Sequence, residues 1–134
     1  MRRVLVVDDS ATMRKIVVKS LRDAGFGALE VTEAADGASA LGALRGSEFA
    51  LVLSDINMPG MDGLSLVRSA RDDSTISPEL PIILITTEGG IEKVEEALAA
   101  GATDYLHKPF SAEQLQGKIT AVLGGSHPRR GVVV

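Results

Sequence analysis

The chain has no cysteine and no tryptophan, and its aromatic residues come to one tyrosine and three phenylalanines. Without cysteine there is no disulfide framework, no thiolate metal site and no cysteine nucleophile. So few aromatics leave no stacking surface for bases or for a flavin. No apolar run approaches the length that spans a bilayer, and no charged segment followed by an apolar stretch opens the chain as a secretory signal would. His107 and His127 stand alone in sequence, and one histidine without a second ligand nearby makes a poor metal site. Positive charge is not in excess either. The 14 Lys and Arg against 18 Asp and Glu give a formal net charge of −4, where a duplex-binding domain shows a basic patch. These absences point to a cytoplasmic protein with no nucleic-acid partner and no membrane insertion.

What is present is ordinary for one globular domain. The 134 residues are 45% hydrophobic and 24% charged, enough to build a core. The sequence then alternates short β-branched runs with stretches of helical period. Val4–Val7, Ala28–Ala34, Phe49–Ser54, Ile82–Ile85 and Thr103–His107 read as strands, the second more polar and so at or near an edge. Between and after them come helices. The first is capped at Ser10 or Thr12 and carries Met13, Ile16, Val17, Leu21 and Ala24 at spacings of three and four. The second is capped by Asp36 with Leu41 and Leu44 inward, and the third carries Leu64, Val67 and Ala70. The fourth carries Ile91, Val94 and Leu98 and stops at Gly101. In the fifth, Ser111 and Gln114 form a capping box ahead of Leu115, Ile119 and Val122.

Five strand–helix pairs in strict alternation imply a parallel sheet with helices on both faces, because strands so continuously apolar are buried on both sides. The count suits the doubly wound, flavodoxin-like order 2-1-3-4-5. That order is taken from known folds, since alternation alone does not fix it. Residues 124–134, "GGSHPRRGVVV", follow the last helix and read as a C-terminal tail to a domain over 1–123.

In such a sheet the loops leaving the C-terminal strand ends share one edge, and ligands bind there. The first strand runs into Asp8 and Asp9, the third into Asp55, the fourth into Thr86, and the fifth stops just before Lys108. Three carboxylates, a hydroxyl and an ammonium therefore converge. Clustered carboxylates call for a hard divalent cation, and carboxylate oxygen with water suits Mg²⁺. An aspartate beside such a cation and a lysine is a phosphoryl acceptor in waiting, because both positive charges can neutralise phosphate oxygens during in-line transfer.

Taken together, "VDDS", "DINMPGMDG", "LITTE" and "DYLHKPF" resemble the receiver domains of bacterial response regulators, and most of all the stand-alone chemotaxis regulators of the CheY type. The resemblance covers roughly residues 3–123. It implies Asp55 as phosphoacceptor, and Asp8 and Asp9 as the acidic pair at Mg²⁺, with Asp9 the more direct ligand. It implies further that Asn57 lends the metal its backbone carbonyl, that Lys108 binds a phosphoryl oxygen, and that Lys108–Pro109 is cis. Thr86 corresponds to the hydroxyl that moves onto the phosphoryl group, and Tyr105 to the ring that swings inward after it. The resemblance supplies a histidine kinase as phosphodonor and a downstream target on the face of helix 4, strand 5 and helix 5, with the flagellar motor switch as a candidate target and a monomer as the expected state. Asn57 and Glu88 match side chains that tune dephosphorylation in chemotaxis members. Thr87 is larger than the Ala or Gly often found after the switch residue, which crowds access to the site.

Singly, each feature has a plainer reading. Adjacent aspartates at a strand end make a cap, a threonine there is a β-former, "MPGMDG" is a turn, and a lone tyrosine is packing. Two other functions share parts of the pattern. A Mg²⁺-dependent aspartyl-nucleophile phosphohydrolase of the haloacid-dehalogenase type would show D-x-D-x-[TV] after strand 1, where residues 8–12 read D-D-S-A-T, and would need room for a cap domain. A flavodoxin-like electron carrier would need a phosphate loop and stacking aromatics. The expectation is therefore a phosphorylation-controlled binding module that catalyses only part of its own phosphorylation and dephosphorylation, and not an enzyme.

Overall fold

The computed structural model describes residues 2–87 and 90–123, apart from the side chain of Ile91. Glu88 and the tail at 124–134 lie outside the described residues. The elements run β1 (Arg3–Val7), α1 (Ala11–Asp23), β2 (Glu30–Ala34), α2 (Gly37–Gly46), β3 (Leu51–Asp55), α3 (Gly63–Asp72), β4 (Ile82–Thr86), α4 (Ile91–Ala100), β5 (Asp104–His107) and α5 (Ala112–Leu123). All neighbouring strands are parallel, in the order β2-β1-β3-β4-β5. This is the five-stranded, doubly wound flavodoxin-like order, with the polar strand β2 at an edge.

Side-chain alternation along each strand builds two cores. Leu5, Val7, Val52, Ile82 and Leu84 face one way and pack with Leu41 and Leu44 of α2, Leu64, Leu66 and Val67 of α3, and Ala97 of α4. Val4, Val6, Leu51, Leu53, Ile83, Ile85 and Leu106 face the other way, against Val17 and Leu21 of α1 and Leu115, Ile119 and Val122 of α5. The central strands are therefore apolar at successive positions because each position serves one of two cores. Full burial of a side chain of this size is worth about 1.5–3 kcal/mol.

Two residues expected inside are not. Ile16 is 48% exposed and Leu98 43%. On α1 the inward stripe is narrow, and Val17 and Leu21 fill it, so Ile16, one position away, faces the rim. On α4 the core residues among those described are Ala97 and Ala100. Small side chains bring that helix close, and Leu98 is turned outward. Strand β2 starts at Glu30 because Leu29 N–H closes a turn onto the Phe26 carbonyl, and the ladder begins with Glu30 N–H to Arg2 O. Phe49 packs beside the core rather than within β3.

The helix starts follow the expected chemistry. Ser10 Oγ accepts from Met13 N, Asp36 from Ser39 N and Asp62 from Ser65 N. Ser111 and Gln114 cap reciprocally, Ser111 N–H donating to Gln114 Oε1 at 2.8 Å and Gln114 N–H to Ser111 Oγ at 3.1 Å. Helix α4 alone among the described helices with an assigned N-cap starts without a side-chain cap, at Gly90. It ends at Gly101, whose φ of 114° favours glycine.

Candidate functional site

The C-terminal ends of β1, β3, β4 and β5 lie along one edge of the parallel sheet, and each carries a polar residue at or just beyond its last position. Asp8 continues the ladder by one bond, its N–H donating to Ala34 O at 3.1 Å. Its carboxylate then accepts from Ser10 N at 2.9 Å, a local turn that carries the chain straight into the cap of α1. Asp55 ends β3, where Ile56 N–H still pairs with Ile85 O. Behind it Gly63 N–H donates to Ile56 O at 2.8 Å. A methyl group on Gly63 would overlap the Asp55 carbonyl oxygen and come within 2.8 Å of Ile56 Cα. Glycine is thus required for α3 to start against the back of Asp55, a role that "MDG" by itself did not disclose.

Asp8, Asp9 and Asp55 each offer a carboxylate oxygen within 4.8 Å of the others. Lys108 reaches into the same group, with Nζ 3.4 Å from Asp55 Oδ1 and 3.8 Å from Asp8 Oδ2. The cis bond between Lys108 and Pro109 lies immediately beyond β5, and Lys108 N–H is held by Thr86 O at 2.7 Å. Asp8 is only 4% exposed. Burial pushes its carboxyl above the ordinary value, and Asp55 and Asp9 add to that. The Ser10 N–H and the Lys108 ammonium work in the opposite direction.

Three carboxylates against one ammonium leave two formal negative charges in a partly buried cluster. The donor set is all oxygen, with Asp9 exposed and Asp55 half-buried toward solvent. Such a set fits a hard divalent cation that retains waters, as Mg²⁺ does. Asn57, expected to contribute its backbone carbonyl, is exposed in the loop two residues past Asp55.

Thr86 is buried at the end of β4. In the register Leu84 faces Tyr105 and Thr86 faces His107. Thr86 lies two residues beyond Leu84, so Thr86 and Tyr105 are diagonal neighbours on one face of the sheet. Tyr105 is half-buried on the edge strand, and the Lys118 ammonium stands 4.8 Å from its ring centroid. Lys118 is itself held by Asp104 Oδ1 at 3.0 Å. This Asp104–Lys118 pair, fourteen residues apart, left no mark in the sequence pattern. Thr87 is exposed and, with Met13, Ile16, Lys108, Pro109 and Phe110, lines an open and mainly apolar cleft of about 340 Å³ beside the site. His107 is exposed.

The profile of the response regulator receiver domain matches residues 4–120. The chain belongs to that family. Among its relatives, chemotaxis protein CheY-3 of Vibrio cholerae is 42% identical over 120 residues, covering 90% of each chain. Chemotaxis protein CheY of Pseudomonas aeruginosa is 40% identical over 90% of this chain and 94% of its own. The solved structure of Vibrio cholerae CheY4 superposes with a TM-score of 0.81 at 42% identity, over 92% of this chain and 99% of that one. The receiver domain of a sensor histidine kinase from Pseudomonas aeruginosa PAO1 superposes with a TM-score of 0.80 at 30% identity, over 92% and 98%. Its structure holds a magnesium ion coordinated in the active site cleft. This receiver domain is thus a CheY-like response regulator, a signalling protein, and the phosphohydrolase reading is not favoured. No helix among the described residues is long and apolar enough to cross a membrane.

Proposed function

We propose that Asp55 accepts a phosphoryl group from a histidine kinase and that the change of charge resets a partner-binding face. The observation that carries this reading is the Lys108 ammonium 3.4 Å from Asp55 Oδ1, beside the Asp8 and Asp9 carboxylates. In the transfer an Asp55 carboxylate oxygen attacks phosphorus and forms the new P–O bond of an acyl phosphate. The bond from phosphorus to the donor breaks, and its electron pair leaves with the donor. Lys108 meets the charge on a phosphoryl oxygen. Asp8, Asp9, Asp55 and the Asn57 backbone carbonyl would hold Mg²⁺. When bound, Mg²⁺ supplies the rest of the positive charge that phosphoryl transfer requires.

With phosphate on Asp55, Thr86 donates its hydroxyl to a phosphoryl oxygen and moves away from β5. Tyr105, its diagonal neighbour, turns into the space released. The face of α4, β5 and α5 then differs between the two states and is read by a target protein. The chemotaxis names of the relatives favour a motility pathway, with the flagellar motor switch as target. We read the protein as a cytoplasmic monomer whose receiver unit spans residues 1–123, with 124–134 as a tail. It assists its own phosphorylation and dephosphorylation and turns over no other substrate. Incubation with Mg²⁺ and acetyl phosphate tests this, followed by intact-mass measurement. Wild type should gain one phosphoryl group, and Asp55→Asn or excess EDTA should abolish the gain. Equal uptake by Asp55→Asn refutes the assignment.

A further inference from the structure

One side chain outside the acidic cluster holds the backbone from which Asp8 and Asp9 project. Arg14, on the first turns of α1, donates from Nη1 to the Asp8 carbonyl at 2.7 Å and from Nε to Glu33 Oε1 at 2.9 Å. Its side chain is only 17% exposed, and its own N–H donates to the Ser10 carbonyl at 3.0 Å. Glu33 sits on β2, in register with Val6 of β1. The guanidinium therefore ties the start of α1 to the edge strand, and the Asp8 carbonyl is caught between them.

We infer that Arg14, anchored by Glu33, is a positioning residue for the metal-binding pair. The peptide between Asp8 and Asp9 is a rigid plane, and fixing its carbonyl fixes the Cα atoms on both sides of it. Asp8 has further anchors, its N–H on Ala34 O and its carboxylate under Ser10 N–H. The aim of Asp9 depends on the plane that precedes it. A planar fork with donors diverging toward two acceptors can do this, whereas a lysine ammonium on a flexible stem cannot hold both in the same geometry. Glu33 has a second effect. It matches the Arg14 charge, so the clamp adds no net positive charge beside a site that must attract a cation. Groups that orient ligands from behind in this manner typically change metal affinity by about 10–100-fold.

The inference rests on the reading that Asp8 and Asp9 hold Mg²⁺, and the experiment separates the two. Mg²⁺ is titrated into metal-free wild type, Arg14→Gln, Arg14→Lys and Glu33→Gln. The dissociation constant is read from the amide signals of residues 8–10 and 55–57 and from the rise in melting temperature with Mg²⁺. The Arg14–Glu33 pair is partly solvent-exposed and contributes little to stability, so metal-free melting temperatures should stay within about 4 °C of wild type. Arg14→Gln should weaken Mg²⁺ binding about tenfold. Arg14→Lys should fail to restore it, and Glu33→Gln should weaken it at least threefold. A folded Arg14→Gln that binds Mg²⁺ within twofold of wild type overturns the inference, even if it melts lower, because Arg14 would then be structural only. Should Arg14→Gln not fold, Glu33→Gln decides by the same twofold limit. A wild type that shows no Mg²⁺ response at all overturns instead the metal reading beneath it.

Discussion

Asp8→Asn should make the metal-free protein more stable. Asp8 is almost fully buried, with Asp9 and Asp55 oxygens within 4.8 Å and the Lys108 ammonium at 3.8 Å. At an effective dielectric constant of about 20, each carboxylate pair repels by about 3 kcal/mol and the lysine attracts by about 4 kcal/mol. Two repulsions and one attraction leave about 2 kcal/mol against the charged form. Asparagine keeps the shape and an oxygen for the Ser10 N–H but makes a weaker hydrogen bond to it, which returns about 1 kcal/mol. The expected net gain is about 1 kcal/mol, or about 4 °C in melting temperature, measured by calorimetry in EDTA near neutral pH. The gap should close in acid. Burial raises the folded-state pKa of Asp8 above the ordinary 3.8. The penalty on wild type is therefore full above the raised value, fades as the folded protein takes up its proton, and is gone below 3.8. Mg²⁺ should raise the wild-type melting temperature more than that of the variant. A metal-free variant that melts lower than wild type and responds fully to Mg²⁺ would refute the electrostatic reasoning and make Asp8 a structural turn residue.

Thr86→Ala should still take up phosphate from acetyl phosphate. The Tyr105 ring signals, the only tyrosine signals in the chain, should then move much less on adding beryllofluoride and Mg²⁺ than in wild type. An undiminished response would remove Thr86 from the link. Lys118→Met removes an ammonium that holds the Tyr105 ring from 4.8 Å, an interaction worth about 0.5–1 kcal/mol at a partly exposed site. It should shift the ring about two- to fivefold toward the inward position proposed for it before any phosphorylation, seen as a displaced ring chemical shift in the unmodified protein. Gly63→Ala drives a methyl group into the Asp55 carbonyl. It should cost about 1–3 kcal/mol in urea unfolding and slow phosphoryl uptake, while Gly42→Ala, with open space around it, should do neither.

The fold was legible because this sheet is buried on both sides. Val4–Val7 and Ile82–Ile85 are apolar at every position, as strands covered on both faces are, and their strict alternation with helical stretches points to a parallel sheet. The clustering of the candidate site residues was legible for a related reason. Asp8, Asp9, Asp55, Thr86 and Lys108 each stand at a strand end, and parallel topology gathers strand ends on one edge without further information. Contacts that depend on the third dimension stayed hidden. Nothing in the spacing of Arg14 and Glu33, or of Asp104 and Lys118, says that they meet, because each pair joins an element to another whose relative height is set by packing. Ile16 and Leu98 matched the helical period yet face outward. A period identifies a stripe, whereas its width and centre depend on how closely neighbouring side chains let the helix approach. Gly63 reads in sequence as part of a turn, whereas the backbone it lies against is the end of β3 at Asp55 and Ile56.

The central claim is that the phosphoryl group resides on Asp55, and the direct measurement is to locate it. An acyl phosphate on an aspartate is reduced by borohydride to homoserine, which leaves a permanent mark at the modified position. Protein incubated with acetyl phosphate and Mg²⁺, reduced and digested, should carry homoserine at residue 55 and nowhere else, and none when EDTA is present from the start. Homoserine at residue 8, 9 or 62, or its absence from a protein that has taken up phosphate, would contradict the account.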